Sequence, residues 1–122
     1  MLDRLSQSLE IYLDLLATRQ KLVSSNIANL ETPGYRTRDV NFQAELDAAL
    51  NAASGTTRTQ KPAVAIEESV PGLTVKNDGN DVSLEREARL LAETAMRFQM
   101  ATMLLERRMS MTKSAIREEV AR

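Results

Sequence analysis

Apolar side chains recur at alternating steps of three and four from residue 2 to residue 30, and the pattern then stops abruptly. Leu2, Leu5, Leu9, Tyr12, Leu16, Arg19, Val23, Asn26 and Leu30 lie on this line, and Leu13, Gln20 and Ile27 flank it. That alternation is the mark of a helix seam with polar residues at two positions. The spacing predicts a helix from Leu2 to Asn29. Thr32-Pro33-Gly34-Tyr35 then ends it, because proline disfavours helical backbone in the residue before it and glycine readily supplies a positive φ. On periodicity alone the seam reads as a core-facing helix, with a partner-binding coiled coil as the alternative.

A second long helix is predicted from about Val82 to Val120. Its seam is Leu84, Ala88, Leu91, Ala95, Phe98, Thr102, Leu105, Met109, Thr112 and Ile116. Asp81 or Ser83 can cap it, and Glu85 and Glu87 suit the positive end of its dipole. Between Ala95 and Leu105 the apolar residues leave a single stripe. Met96, Met100 and Met103 form a further line, widened by Ala101 and Leu104. A helix apolar over so much of its circumference is buried on more than one side. This chain has only one other long helix to cover it, so the three methionines are candidates for contact with another chain, as adaptable packing.

The fold class expected is mainly α. Long N- and C-terminal helices pair as an antiparallel, coiled-coil-like hairpin through Leu9, Tyr12, Leu16 and Val23 on one side and Leu91, Ala95, Phe98, Leu105 and Met109 on the other. Between them, Phe42, Leu46 and Leu50 predict a short helix from Asn41 to Ala53, with Asn41 as its N-cap and Gly55 as its stop. Residues 54–81 shift to Ser, Thr, Gly, Pro, Asn and Lys and read as a loop-rich insert. The alternations Val64, Ile66 and Leu73, Val75 predict a weak β-hairpin about Pro71-Gly72. The 122 residues are one domain at most, in four segments: 1–30, 31–53, 54–81 and 82–122.

Composition excludes several functions. Aromatic residues are 3% of the chain, and the 43% of hydrophobic residues come from Leu, Ala, Met, Val and Ile, which suits helix seams. With 16 basic and 17 acidic residues there is no cationic excess to neutralise phosphates. There is no cysteine and no histidine. The commonest general base, the thiol nucleophile and the usual zinc ligands are therefore missing, and no phosphate loop or nucleophile elbow is present. Glu85 and Glu87 are two apart on a helix and do not share a face. Asn77-Asp78-Gly79-Asn80-Asp81 has its glycine misplaced for a calcium loop and reads as a turn before a helix cap. Arg107-Arg108 reads as a solvated or inter-chain ion-pairing pair. The expectation is a protein that is not an enzyme and needs no cofactor. The N-terminus lacks a basic region followed by an apolar block, and no run of about 18 apolar residues exists. On those facts alone the chain reads as cytoplasmic.

Asn26-Ile27-Ala28-Asn29, followed by Thr32-Pro33-Gly34-Tyr35-Arg36, resembles the signature of the bacterial flagellar axial family of rod, hook and hook-associated proteins. Asn80-Asp81-Val82-Ser83-Leu84-Glu85-Arg86-Glu87 resembles that family's entry into its C-terminal helix. The loop-like middle is too short for the large β-rich domains of the bigger members, so the chain is most similar to a small proximal-rod subunit. The resemblance implies a structural subunit, exported without a cleaved signal, that builds a helical rod with copies of itself and transmits torque. Implied neighbours are other rod proteins, the adaptor between rod and MS ring, and the export gate at the base, with no nucleic acid and no membrane span. It implies residence in the basal body as part of the periplasmic rod, and overrides the cytoplasmic reading. The motif from Asn26 to Arg36 is then the joint between an inner helical tube and an outer arm. Asn26 and Asn29 would satisfy polar groups where the helix ends, and Tyr35 would pack on an adjacent chain. A soluble helical-hairpin adaptor or secretion chaperone is the alternative.

Overall fold

Two long helices set the frame of the computed structural model, which describes residues 4–53, 64–68 and 70–121. Helix α1 is Arg4–Ala28, strand β1 Asp39–Val40, helix α2 Phe42–Ala53, strand β2 Ile66–Glu67 and helix α3 Leu84–Ala121. Leu2 and Gly55 lie outside the described residues.

α1 and α3 run antiparallel. Asn80, just before α3, is bonded to Asn29 just after α1. Tyr12 meets Arg97 halfway along, and Arg4, Leu5 and Ser8 share a surface depression with Arg108. α1 thus ends, and α3 begins, at one polar joint. α3 has 38 residues against 25 for α1, so at about 1.5 Å per residue it is about 20 Å longer. Every described side chain from Met109 to Ala121 is exposed.

The buried faces differ from the predicted seams in an instructive way. On α1, Leu16, Val23 and Asn26 are buried, joined by Ile11, Leu15 and Leu22, which the predicted seam passed over. Leu9 and Tyr12 are half-buried. On α3 the line facing α1 is Glu87, Leu90, Thr94 and Ala101. Leu91 and Leu105 are half-buried beside it, while Ala95, Phe98 and Met109 are exposed. The small side chains at 94 and 101 let bulky α1 residues approach closely, so the line of contact is less apolar than its own flank. A pattern that searches for the most apolar stripe finds the flank.

The short elements brace α1. Asn41 caps α2, its Oδ1 accepting from the Ala44 amide at 3.3 Å. Phe42 meets the Tyr12 ring edge to face at 5.6 Å, and the Arg19 guanidinium stands over its ring at 5.7 Å. The two strands pair antiparallel, Val40 opposite Ile66 and Asp39 opposite Glu67. This corrects the hairpin expected about Pro71-Gly72. A turn is present there, with Gly72 at φ 86°, but Ile66 takes its partner from the segment after α1. Val40 is 3% exposed and offers a buried edge that Leu73 and Val75 do not.

Leu16 is 1% exposed and Met103 60% exposed. Leu16→Ala is expected to cost about 2–5 kcal/mol of stability. Met103→Ala should cost less than about 0.5 kcal/mol. Urea unfolding of the purified chain followed by helicity measures both, and comparable losses would contradict this assignment of the core.

Candidate assembly joint

α1 ends in a tight succession of turns. The Leu30 amide bonds to the Ile27 carbonyl at 3.2 Å, Thr32 to Asn29 at 3.1 Å, and Tyr35 to Thr32 at 3.2 Å. These turns reverse the chain so that residues 35–40 run back beside the last turn of α1. Such an arm carries backbone groups that water cannot reach, and each needs a partner.

Asn26 supplies two of them. It is 1% exposed. Its Nδ2 donates to the Arg38 carbonyl at 2.9 Å, and its Oδ1 accepts from the Arg38 amide at 3.0 Å. One side chain thereby pairs both backbone groups of one residue, as a neighbouring strand would. The same Oδ1 accepts from the Tyr35 hydroxyl at 2.9 Å, and that hydroxyl also lies 3.2 Å from Ser25 Oγ. Tyr35 is half-buried and spends its polar group inside its own chain. The expected outward packing of Tyr35 on an adjacent chain is thus not what its hydroxyl does. Asn29 acts locally. Its Nδ2 donates to the Ser25 carbonyl at 2.8 Å, and its Oδ1 accepts from Thr32 Oγ1 at 3.0 Å. Ile27 is half-buried, whereas Ala28, Pro33 and Gly34 are exposed.

The segment before α3 completes the joint. Asn80 is fully buried. Its Nδ2 donates to the Asn29 and Thr32 carbonyls at 2.8 and 2.9 Å, and its Oδ1 accepts from the Val82 amide at 2.8 Å. Asp81 accepts from the Thr37 amide at 2.6 Å and lies 3.7 Å from the half-exposed Arg36 guanidinium. Ser83 is the residue that caps α3, its Oγ accepting from the Arg86 amide at 3.3 Å. Gly34 and Gly79 meet back to back. The Gly34 amide donates to the Asp78 carbonyl at 2.8 Å, and a Cβ on Gly79 would stand 3.3 Å from Gly34 Cα. Both have positive φ, 76° and 88°, a conformation that glycine adopts without strain.

Beneath this lies a line of alternating charge. The Asp39 carboxylate takes Arg19 of α1 at 3.1 Å and Arg86 of α3, and Arg86 also takes Glu87 at 2.7 Å. Asp39 is 6% and Glu87 0% exposed. Two cations and two anions balance, which a site this poorly hydrated requires. Among the described residues no group of acidic side chains is arranged to hold a metal ion. Farther along the helices, Arg97 donates to the Tyr12 hydroxyl at 3.3 Å. That contact first, and Glu93 after it, hold the guanidinium above its ordinary range.

The two sequence motifs, 44 or more residues apart, thus form one structure. A family model described as "Flagella basal body rod protein" matches residues 13–36, which hold the last turns of α1 and the turn motif. The chain is similar to the flagellar basal body rod protein FlgB of Escherichia coli K12, at 35% identity over 119 residues, 83% of this chain and 86% of that protein. It is 39% identical over 114 residues to FlgB of a Cereibacter sphaeroides strain, 86% of this chain and 88% of the relative. FlgB of Aeromonas hydrophila is 28% identical over 116 residues, 88% of each. The chain belongs to the FlgB family of flagellar basal-body rod proteins. In this FlgB-type chain, Asn26, Asn29, Thr32, Gly34, Tyr35 and Arg36 all come together at the joint.

Sequence reasoning left out Arg19, Asp39, Asn80 and Asp81 as site residues, and gave Arg86 and Glu87 no role beyond the motif and the helix dipole. One signal was available: Arg19 interrupts the α1 seam, and a charge on a seam calls for a buried opposite charge.

Two substitutions test the joint. Asn26→Leu keeps the branching and the number of heavy atoms but orphans the Arg38 amide and carbonyl, at about 1–3 kcal/mol for each buried group left unpaired. Asp39→Ala leaves Arg19 and Arg86 facing each other and is expected to cost about 3–5 kcal/mol. Both are read as shifts in the unfolding midpoint, against Gln43→Ala on the exposed face of α2 as the control.

Proposed function

We propose that this chain is a structural subunit of the bacterial flagellar basal-body rod, placed at its proximal end and assembled with copies of itself and with other rod proteins. The observation that carries the reading is the joint. The stretch shared with the rod family holds the two terminal helices and the returning arm in one fixed geometry. A part whose role is mechanical needs such a rigid junction.

The surface of α3 supports the same reading. Two apolar faces of α3 lie off the line that meets α1. Phe98, Met109 and Ile116 lie beside that line, and Met96, Met100, Met103 and Met111 lie on the side turned away from α1; all are exposed. An exposed apolar patch of this extent marks a place where another protein sits. Two different flanks on opposite sides suit a heterologous contact, which repeats into rings or helical filaments instead of closing as a pair. A soluble adaptor would need only one.

In this reading the subunit is exported without a cleaved signal, joins the rod base next to the ring adaptor and export gate, and transmits torque through packed helices. The α3 segment from Met109 onward gains its packing only on assembly. Protease treatment of the purified chain should therefore cut there first, and assembly should slow that cut. A tagged chain in a motile strain should fractionate with isolated basal bodies. Recovery in the cytoplasm alone, as a discrete complex, would overturn the assignment in favour of the adaptor.

The joint supplies the functional variant. Gly34→Val forces a β-branched residue to φ 76°, a strain on the order of 1–3 kcal/mol. It should reduce incorporation and swimming more than Pro33→Ala at the exposed neighbouring position. Equal and full motility in both variants would remove the turn from the mechanism.

A further inference from the structure

We infer that Asp78 is a site of spontaneous isoaspartate formation that the closed joint holds in check, so that the chain is altered there only while the joint is open. The inference stands on the joint alone and goes beyond the rod reading. Of the four glycines, only Gly79 follows an aspartate or asparagine. In that order the glycine nitrogen reaches the aspartate carboxyl carbon with no Cβ in its way. The joint itself demands both residues. Gly79 has φ 88°, and a Cβ there would crowd Gly34 Cα at 3.3 Å. Asp78 Oδ1 accepts from the Asn80 amide at 3.0 Å and so turns the chain toward buried Asn80.

The reaction is intramolecular. The Gly79 nitrogen gives up its proton and attacks Cγ of Asp78. The N–Cγ bond forms, one Cγ–O bond breaks, and that oxygen leaves as water, which gives a five-membered succinimide. Water then opens the ring. Entry at Cγ breaks the N–Cγ bond and restores aspartate. Entry at the main-chain carbonyl breaks the original peptide bond, and the chain now runs through the side chain as isoaspartate. No oxidant or other reactant is consumed, and the mass returns to its starting value. Ring closure requires the peptide plane between Asp78 and Gly79 to rotate. In the joint that plane is bonded at both ends: its carbonyl accepts from the Gly34 amide at 2.8 Å, and its N–H donates to the Lys76 carbonyl at 2.9 Å. The Lys76 amide donates to the Asn80 carbonyl at 2.8 Å and closes the turn outside it. Asp78 is exposed, so its protection comes from fixed geometry and not from burial. The product cannot re-enter the joint. The main chain gains one methylene, and the carbonyl that met Gly34 becomes part of a pendant carboxylate. Asn80 is then displaced from the Asn29 and Thr32 carbonyls that it spans. Time spent open is thereby recorded as a covalent loss of the stitch.

The test ages the purified full chain in neutral buffer, with and without denaturing urea. Isoaspartate at position 78 is followed by peptide mapping with electron-transfer fragmentation, which separates the two isomers of equal mass. The folded chain should convert about tenfold or more slowly than the chain in urea, because only its opened fraction reacts. Equal rates would overturn the proposal. Asn80→Ala frees the entry to α3, and its rate in buffer, relative to the same variant in urea, should rise severalfold; no rise would remove the joint as the gate. Converted chain returned to buffer should unfold at lower urea than unconverted chain, and an unchanged midpoint would overturn the claimed loss of the stitch. Asp78→Ser keeps an oxygen for the Asn80 amide but cannot form the ring. After the same ageing its midpoint should hold; a fall as large as that of the parent chain would assign the damage elsewhere and overturn the site.

Discussion

Asn26 is enclosed at the last full turn of α1, and its amide does for the arm what a neighbouring strand would do. It pairs the amide and the carbonyl of Arg38 at 3.0 and 2.9 Å and still accepts from Tyr35. A helix cannot offer backbone partners along its side, because its own amides and carbonyls are bonded to one another. An extended segment laid against it must find side chains or lose its hydrogen bonds to water. An asparagine fits this need because it carries a donor and an acceptor on one rigid plane. The direction in which the chain leaves α1 follows from that pairing, and so does the position of β1, α2 and the strand pair that depend on it.

Asn80 applies the same logic from the other end. Its amide spans the Asn29 and Thr32 carbonyls while it receives the Val82 amide. The turn after α1 and the entry to α3 are therefore stitched to one another, side chain to backbone, at a single level. The charged line of Arg19, Asp39, Arg86 and Glu87 ties the same three segments a layer deeper. Buried ion pairs contribute little net stability compared with apolar packing, but they penalise any displaced arrangement heavily. Their value here is a fixed relation between α1, α3 and the arm.

How far this was legible in sequence depends on the distance over which each signal acts. Both long helices, the short helix capped by Asn41 and the stop at Thr32-Pro33-Gly34-Tyr35 were readable because periodicity, capping and φ preferences are local. Asn26 and Asn29 were readable as polar groups needed where the helix ends. The face of α3 that meets α1 was not. Glu87, Thr94 and Ala101 read as a poor seam, because the contact is set by closeness and by the ion pairs that run from Arg86 through Asp39 to Arg19 of α1 instead of by hydrophobicity. The pairing of Val40 with Ile66 and the role of Asp39 were also hidden. They join residues distant in the chain, and no spacing rule reports such a meeting. The inward hydroxyl of Tyr35 was missed because its partners, Ser25 and Asn26, become neighbours only after the turn has formed.

Joint and flanks together describe a division of labour within one short chain. At the joint the segments are held to one another by hydrogen bonds and ion pairs within the chain. Along α3 the reverse holds: methionines, leucine and phenylalanine stand open, and the last turns extend about 20 Å beyond α1. Apolar contact is non-directional and tolerates small changes of register, whereas the joint's hydrogen bonds do not. A subunit that must meet several neighbours gains by keeping its directional bonds internal and presenting adaptable surface outward. On the proposed rod reading, the angle between α1 and α3 is set by bonds within each chain.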